Sequence, residues 1–287
     1  MKFERCGMYK KNLMIKLNAN EFLIHNLLRD LENIIAYIKK TSPVILNEFL
    51  EKLSVTLKSR VKNNEIIHNL KFQEFIADYK NLVKNQDLIK LGFNFFKEIL
   101  EISEEEIWNN EDADFTSHQM SQAANEFYYL EMKTLIDILG RDEAINYYKQ
   151  VILNFIHTYD TNQINVYESL EDLRERTIRF LNKGTLGRVR LFSEVENGQL
   201  IEICKNCEKV EFLDKELRED KELLYTLCCD VHIPLAKMWN ENFVLTLDYT
   251  IAKGDSYCTY VYHDTRFVDE IKHHPKEFFD EVVSNFE

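Results

Sequence analysis

The stretch at residues 242–264, "NFVLTLDYTIAKGDSYCTYVYHD", decides the fold. Phe243, Leu245, Leu247, Tyr249 and Ile251 fall at every second position, so they share one face of a strand. "AKGDS" (252–256) supplies turn residues, and "YCTYVYHD" (257–264) is the returning strand. Upstream, "RVRLFSEV" (188–195) and "QLIEICK" (199–205) alternate in the same way around "ENG" (196–198), which predicts a second hairpin. Between the hairpins, "DKELREDKELLYTLC" (214–228) returns to helical spacing. Helices followed by two hairpins with a helix between them predict an α+β fold, with an antiparallel sheet of about four strands.

The rest of the chain reads as helix. Glycine and proline are scarce, seven and three among 287 residues, which leaves few turns and favours long helices. In "ANEFLIHNLLRDLENIIAYIKK" (19–40), Phe22, Leu23, Leu27, Leu31, Ile34, Ile35 and Ile38 follow steps of three and four, the pattern of an amphipathic helix. Ser42 and Pro43 look like the cap and first position of the next helix. "NEIIHNLKFQEFIADYKNLVK" (64–84) and "DLIKLGFNFFKEILEIS" (87–103) continue the pattern. The acidic run "SEEEIWNNEDADFTSH" (103–118) interrupts it and is the best candidate linker. Further helices are predicted over 121–139, stopped by Gly140, then over 141–159, and over 169–183, ended by "KGTLG". The division expected is a helical region at 1–115 and an α+β domain at 116–287.

Charge and hydropathy exclude some functions. Forty-nine acidic against 36 basic residues give a net charge of −13, which argues against nucleic acid, whose phosphates need clustered Lys and Arg. No apolar run is long enough for a membrane span, and the start "MKFERCGMYKKNLMIKL" has no apolar core of a signal peptide. The expected location is cytoplasmic, where all six cysteines should be reduced or metal-bound. The N-terminal helices, apolar on more than one face, offer a face for a homodimer.

Five of the six cysteines lie between Cys204 and Cys258. Their setting is a strand ending in "IEICKNCEKV", a helix ending in "LLYTLCCD", and a final hairpin "LDYTIAKGDSYCTYVYHD". This order resembles the L-2-amino-thiazoline-4-carboxylic acid hydrolase family, over roughly residues 120–265. More remotely it is similar to small-molecule-binding domains of the 4-vinyl reductase type. The resemblance implies a small-molecule substrate and hydrolysis of C–N bonds at a cyclic amidine or thiazoline-like carbon.

The residues can support three kinds of chemistry. Cys204 and Cys207 at a strand end form half of a tetrahedral thiolate site, and Cys229, Cys258 or His232 could complete it around zinc. Cys229, Asp230 and His232 could instead provide nucleophile, orienter and base, with Cys258 a second candidate nucleophile. The third reading is that the thiols are small buried hydrophobes. Arg188 and Arg190 share a strand face and could hold a carboxylate. His118 and Tyr260 are further candidates for substrate contact. His273 and His274 are read as an exposed helix start and set aside. The sharpest expectation is that Cys204, Cys229 and Cys258 converge on one site. An enzyme is the leading reading; a ligand-binding sensor or carrier with a structural cysteine site and an interaction protein are its rivals.

Overall fold

The computed structural model describes residues 1–8, 10, 13–62, 70–108, 112–159, 162, 164–183, 188–211 and 218–286. Parts of the sequence-predicted helices at 64–84 and 214–228, and the glycines of "KGTLG", lie outside them. Among the described residues there are seven strands: β1 (Phe3–Gly7), β2 (Met14–Asn18), β3 (Asp112–Thr116), β4 (Val189–Ser193), β5 (Gln199–Cys204), β6 (Phe243–Thr246) and β7 (Cys258–Asp264). The fold is α+β. It divides into two compact units, Met14–Tyr159 and a second made of Met1–Leu13 with Asp160–Glu287. No helix among the described residues is long and apolar enough to cross a membrane.

This boundary differs from the one expected at 115/116. Helices Ser117–Leu139 and Arg141–Tyr159 pack with each other and with Arg29–Thr41, Leu46–Arg60 and Gln86–Leu100, so they complete the helical unit. The acidic "linker" is itself structured: Glu104–Trp108 is a helical turn, and β3 pairs antiparallel with β2. Within β3, Ala113 and Phe115 are buried, while Asp112 and Asp114 are exposed. Thr116 then opens the long helix through a capping box. Its Oγ accepts from the Gln119 amide (3.1 Å), and Gln119 Oε1 accepts from the Thr116 amide (3.0 Å). Gly140, at φ 82°, ends that helix as expected.

The first amphipathic helix is interrupted by a π-helical turn, Ile24–Leu28, and resumes at Arg29–Thr41. Ser42 does precede Pro43, but Pro43–Ile45 form a 3-10 turn and Ser42 makes no side-chain cap.

The sheet of the second unit is wholly antiparallel, in the order β1-β4-β5-β7-β6. Five strands replace the expected four because Phe3–Gly7 adds an edge to β4. The β4–β5 hairpin turns on Asn197 (φ 50°) and Gly198 (φ 70°), the two left-handed positions of a type I′ turn. β6 is shorter than predicted: Ile251–Lys253 form a 3-10 turn capped by Thr250 and closed by Gly254 at φ 102°.

Register assigns the two faces. One carries Leu191, Ile201, Ile203 and Val261, packed by Phe279 and Val283 of the C-terminal helix Lys276–Ser284. Phe279 is fully buried there, worth about 1.5–3 kcal/mol. The other face carries Arg190, Glu202, Cys204, Cys258, Tyr260 and Tyr262.

Candidate functional site

The second face of the sheet is built from strand register. Arg190 pairs with Cys204, Cys204 with Cys258, and Glu202 with Tyr260, so all five side chains issue from the same side. Across them lies a second π-helical turn, Thr226–Asp230, followed by helix His232–Trp239. Pro234 sits in the first turn of this new helix, where a missing N–H costs nothing. Edge-on contact of the His232 and Tyr260 rings (5.6 Å) and stacking of Trp239 on Tyr262 (6.3 Å) hold this segment to the sheet. π-turns cluster at functional sites, and this one carries Cys228 and Cys229.

The structure brings together Cys204, Cys229 and Cys258. Cys229 donates its S–H to the Cys258 sulfur, which also accepts the Ile251 amide at 3.3 Å. These two donors and the Arg190 charge lower the Cys258 pKa, the Cys229 contact first, against the opposing effect of burial. The same contact, reinforced by burial, raises the Cys229 thiol far above its ordinary range. Cys204 donates to the Asn206 carbonyl (2.8 Å), and burial pushes it up to about 12. Burial likewise pushes Cys228 up to about 12 and raises Cys207 and Cys6. All six cysteines are free thiols.

Arg190 and Glu202 form an ion pair on the floor of this face. Burial disfavours both charges. For Glu202 burial wins and its carboxyl is raised, whereas the attraction of Glu202 holds the guanidinium charged. The Arg190 Nε–H is buried without an acceptor among the described residues, a donor ready for a ligand oxygen or nitrogen.

Several expectations need correction. His232 does lie at the site, but burial and then the charges of Lys209, Arg190 and Arg188 push its pKa down to about 3. It is neutral across the working range and too weak a base to take a proton from a thiol or water. Its ring is anchored instead at the Cys228 carbonyl, which fixes the π-turn. The Asp230 charge bears on the Tyr225 hydroxyl, about one turn back. His118 lies in the helical unit, in the first turn of its longest helix. Zinc finds no support. Among the described residues no three of His, Cys, Asp or Glu are grouped to hold a metal ion, because Cys204 turns to a backbone carbonyl and Cys229 to Cys258.

Sequence reasoning missed Glu202 and Lys209. The alternation of "QLIEIC" already placed Glu202 on the face of Cys204 and Arg190, and that signal could have found it. It also misplaced His273 and His274, which are half-buried and packed on Phe279 and Phe278 at 5.2 and 4.5 Å. The chain matches no protein-family model, no curated protein and no solved structure.

Proposed function

We propose that the sheet unit is a small-molecule hydrolase acting on the C–N bond of a cyclic amidine or thiazoline-like substrate, with Cys258 as nucleophile. One observation carries this reading: the Cys258 sulfur accepts the Ile251 amide at 3.3 Å on the sheet face that it shares with Arg190 and Cys204. A reactive thiolate needs donors and a cation close by, and Cys229, the Ile251 amide and Arg190 are those groups.

The chemistry follows from the pair. The Cys258 sulfur bonds to the amidine carbon, and the electron pair of the C=N bond moves to nitrogen. That nitrogen takes the Cys229 proton. Collapse of the adduct breaks the ring C–N bond and leaves a thioimidate on Cys258. The Cys229 thiolate, now a strong base, takes a proton from water. The resulting hydroxide attacks the carbon, and cleavage of the C–S bond restores Cys258. Arg190 holds the developing charge through its free Nε–H. Both thiols are only 2 % exposed, so substrate entry requires the turn Thr226–Asp230 to move.

That same burial favours a second reading, a binding module in a reducing compartment whose thiols line a ligand site. Turnover separates the two. A panel of cyclic amidines and thiazolines is incubated with the protein, and ring opening is followed by mass spectrometry. Hydrolysis lost in Cys258→Ser, with the fold kept, supports the enzyme. Binding without ring opening, unchanged in Cys258→Ser, replaces it with the module.

A further inference from the structure

The opposite face of the sheet holds a line of polar side chains that the thiol chemistry does not use. It joins β5, β6 and β7 to the segment just before the C-terminal helix. His263 on β7 is fully buried. His273 Nε2 lies 2.9 Å from Thr259 Oγ1, and its Nδ1 lies 2.7 Å from Thr246 Oγ1. Thr246 Oγ1 also faces His263 Nε2 at a long 3.5 Å. Gln199 Nε2 lies 3.3 Å from His263 Nδ1, and Gln199 Oε1 lies 3.3 Å from His274 Nε2.

One arrangement of protons satisfies every donor and acceptor along this line. In it the Thr259 hydroxyl turns to the Tyr249 carbonyl (3.5 Å) and its oxygen accepts from His273 Nε2–H. His273 Nδ1 is then bare and accepts the Thr246 hydroxyl, whose other option, the Val261 carbonyl, is longer at 3.5 Å. Thr246 in turn accepts His263 Nε2–H. His263 Nδ1 accepts from the Gln199 amide, and the Gln199 carbonyl accepts His274 Nε2–H. The line closes with His263 and His273 neutral. A proton added to His263 places donor against donor at Gln199, and one added to His273 drives the Thr246 hydroxyl off its 2.7 Å contact onto the longer Val261 carbonyl.

We propose that this line is a proton-sensitive latch: neutral, it fastens the segment before Lys276–Ser284 to the sheet, and in mild acid it lets that helix go. The helix has much to lose with the latch, since Phe278 and Phe279 rest on the His274 and His273 rings. Few charges can accommodate the new proton. Asp248 bears on His273 and favours it, whereas His274 opposes it; His263 meets only the charges of His273 and His274. On the helix itself, Lys276 is engaged with Asp255 (3.2 Å) and Asp280 with the Tyr257 hydroxyl. Burial lowers all three histidines, His263 to about 4. Neutral histidine is therefore favoured by the latched state, and the advantage is lost as pH falls from the ordinary histidine range toward the folded value.

Amide hydrogen exchange of the whole protein tests this, corrected for the intrinsic pH dependence of exchange. Between about pH 7.5 and about pH 5, opening of residues 276–284 should rise on the order of tenfold to thirtyfold. Amides of β4 and β5 should not follow. In His263→Gln/His273→Gln, glutamine keeps one acceptor and one donor but cannot titrate, so the acid opening should fall severalfold, to what His274 alone contributes. Equal acid opening in wild type and variant overturns the latch. If the variant does not fold, long-range nitrogen NMR of the wild type decides. All three histidines should be neutral Nε2–H tautomers near neutral pH, and any Nδ1–H tautomer at His263 or His273 sinks the assignment.

Discussion

Each unit buries acidic groups beside a π-helical turn, with opposite results. In the helical unit the turn Ile24–Leu28 runs into Asp30, which meets Glu131 of the long helix. In the sheet unit the turn Thr226–Asp230 brings Cys229 to Cys258. Burial pushes Asp30 up to about 7 and Glu131 well above its ordinary range, and the groups bearing on Glu131 are Asp30 and Tyr148. No cation is among them, so the carboxyls keep protons. Cys258 has Arg190 and two hydrogen-bond donors, and its thiol is lowered despite the same burial. Burial alone makes an acid inert. Burial beside a cation and an amide makes one reactive.

The comparison can be broken most severely at the cation. Arg190→Met should leave Glu202 buried without its ion-pair partner, costing about 3–5 kcal/mol in urea unfolding. It should also return the Cys258 thiol toward ordinary values; an unchanged alkylation profile would show that the arginine does not tune it.

The next effect has the opposite sign. Asp30 has a raised folded pKa, so its favourable share of stability is complete below the unfolded value near 3.8 and lost as pH rises through about 7. Asp30→Asn removes that loss. It should stabilise the protein by about 1–4 kcal/mol at pH ~8 and by little at pH ~4. Thermal unfolding across that range checks it, and parallel curves for the two proteins would refute a protonated pair.

Cys229→Ala removes the donor from Cys258 and should slow its alkylation near neutral pH about tenfold. Peptide mapping after iodoacetamide treatment measures this. The smallest effect is local. Thr116→Ala removes the capping box of the long helix and should cost about 1 kcal/mol, with the thiol profile unmoved.

The sheet was legible where alternation was strong and turn residues were unambiguous, as in the "ENG" and "AKGDS" hairpins. β1 was not, because Phe3–Gly7 offers only five residues with charges at two of them, and its pairing with β4 spans the chain. β3 hid behind its acids: "DADFT" alternates, but Asp112 and Asp114 on the exposed face dominate its composition. The convergence of Cys204, Cys229 and Cys258 followed from topology alone, since register sets Cys204 opposite Cys258. Which thiol would be lowered did not, because it depends on an Ile251 amide and an Arg190 charge that only packing delivers. The histidines of 263–274 were misread for the same reason. Their neighbours in sequence are charged, while their neighbours in space are threonines and phenylalanines.

The discontinuity of the sheet unit sets an order of assembly on a growing chain. Residues 14–159 are contiguous and can collapse as soon as they have been synthesised. Phe3–Gly7 is made before the helical unit yet meets its partner Val189–Ser193 only after that whole unit has been translated. Until then it is an unsatisfied strand that must be kept from other chains. The loop it closes is long, although the entropic charge for length grows only logarithmically. The edge strand therefore docks late, and a nascent chain arrested before β4 should display its first residues to a protease while the helices already resist it.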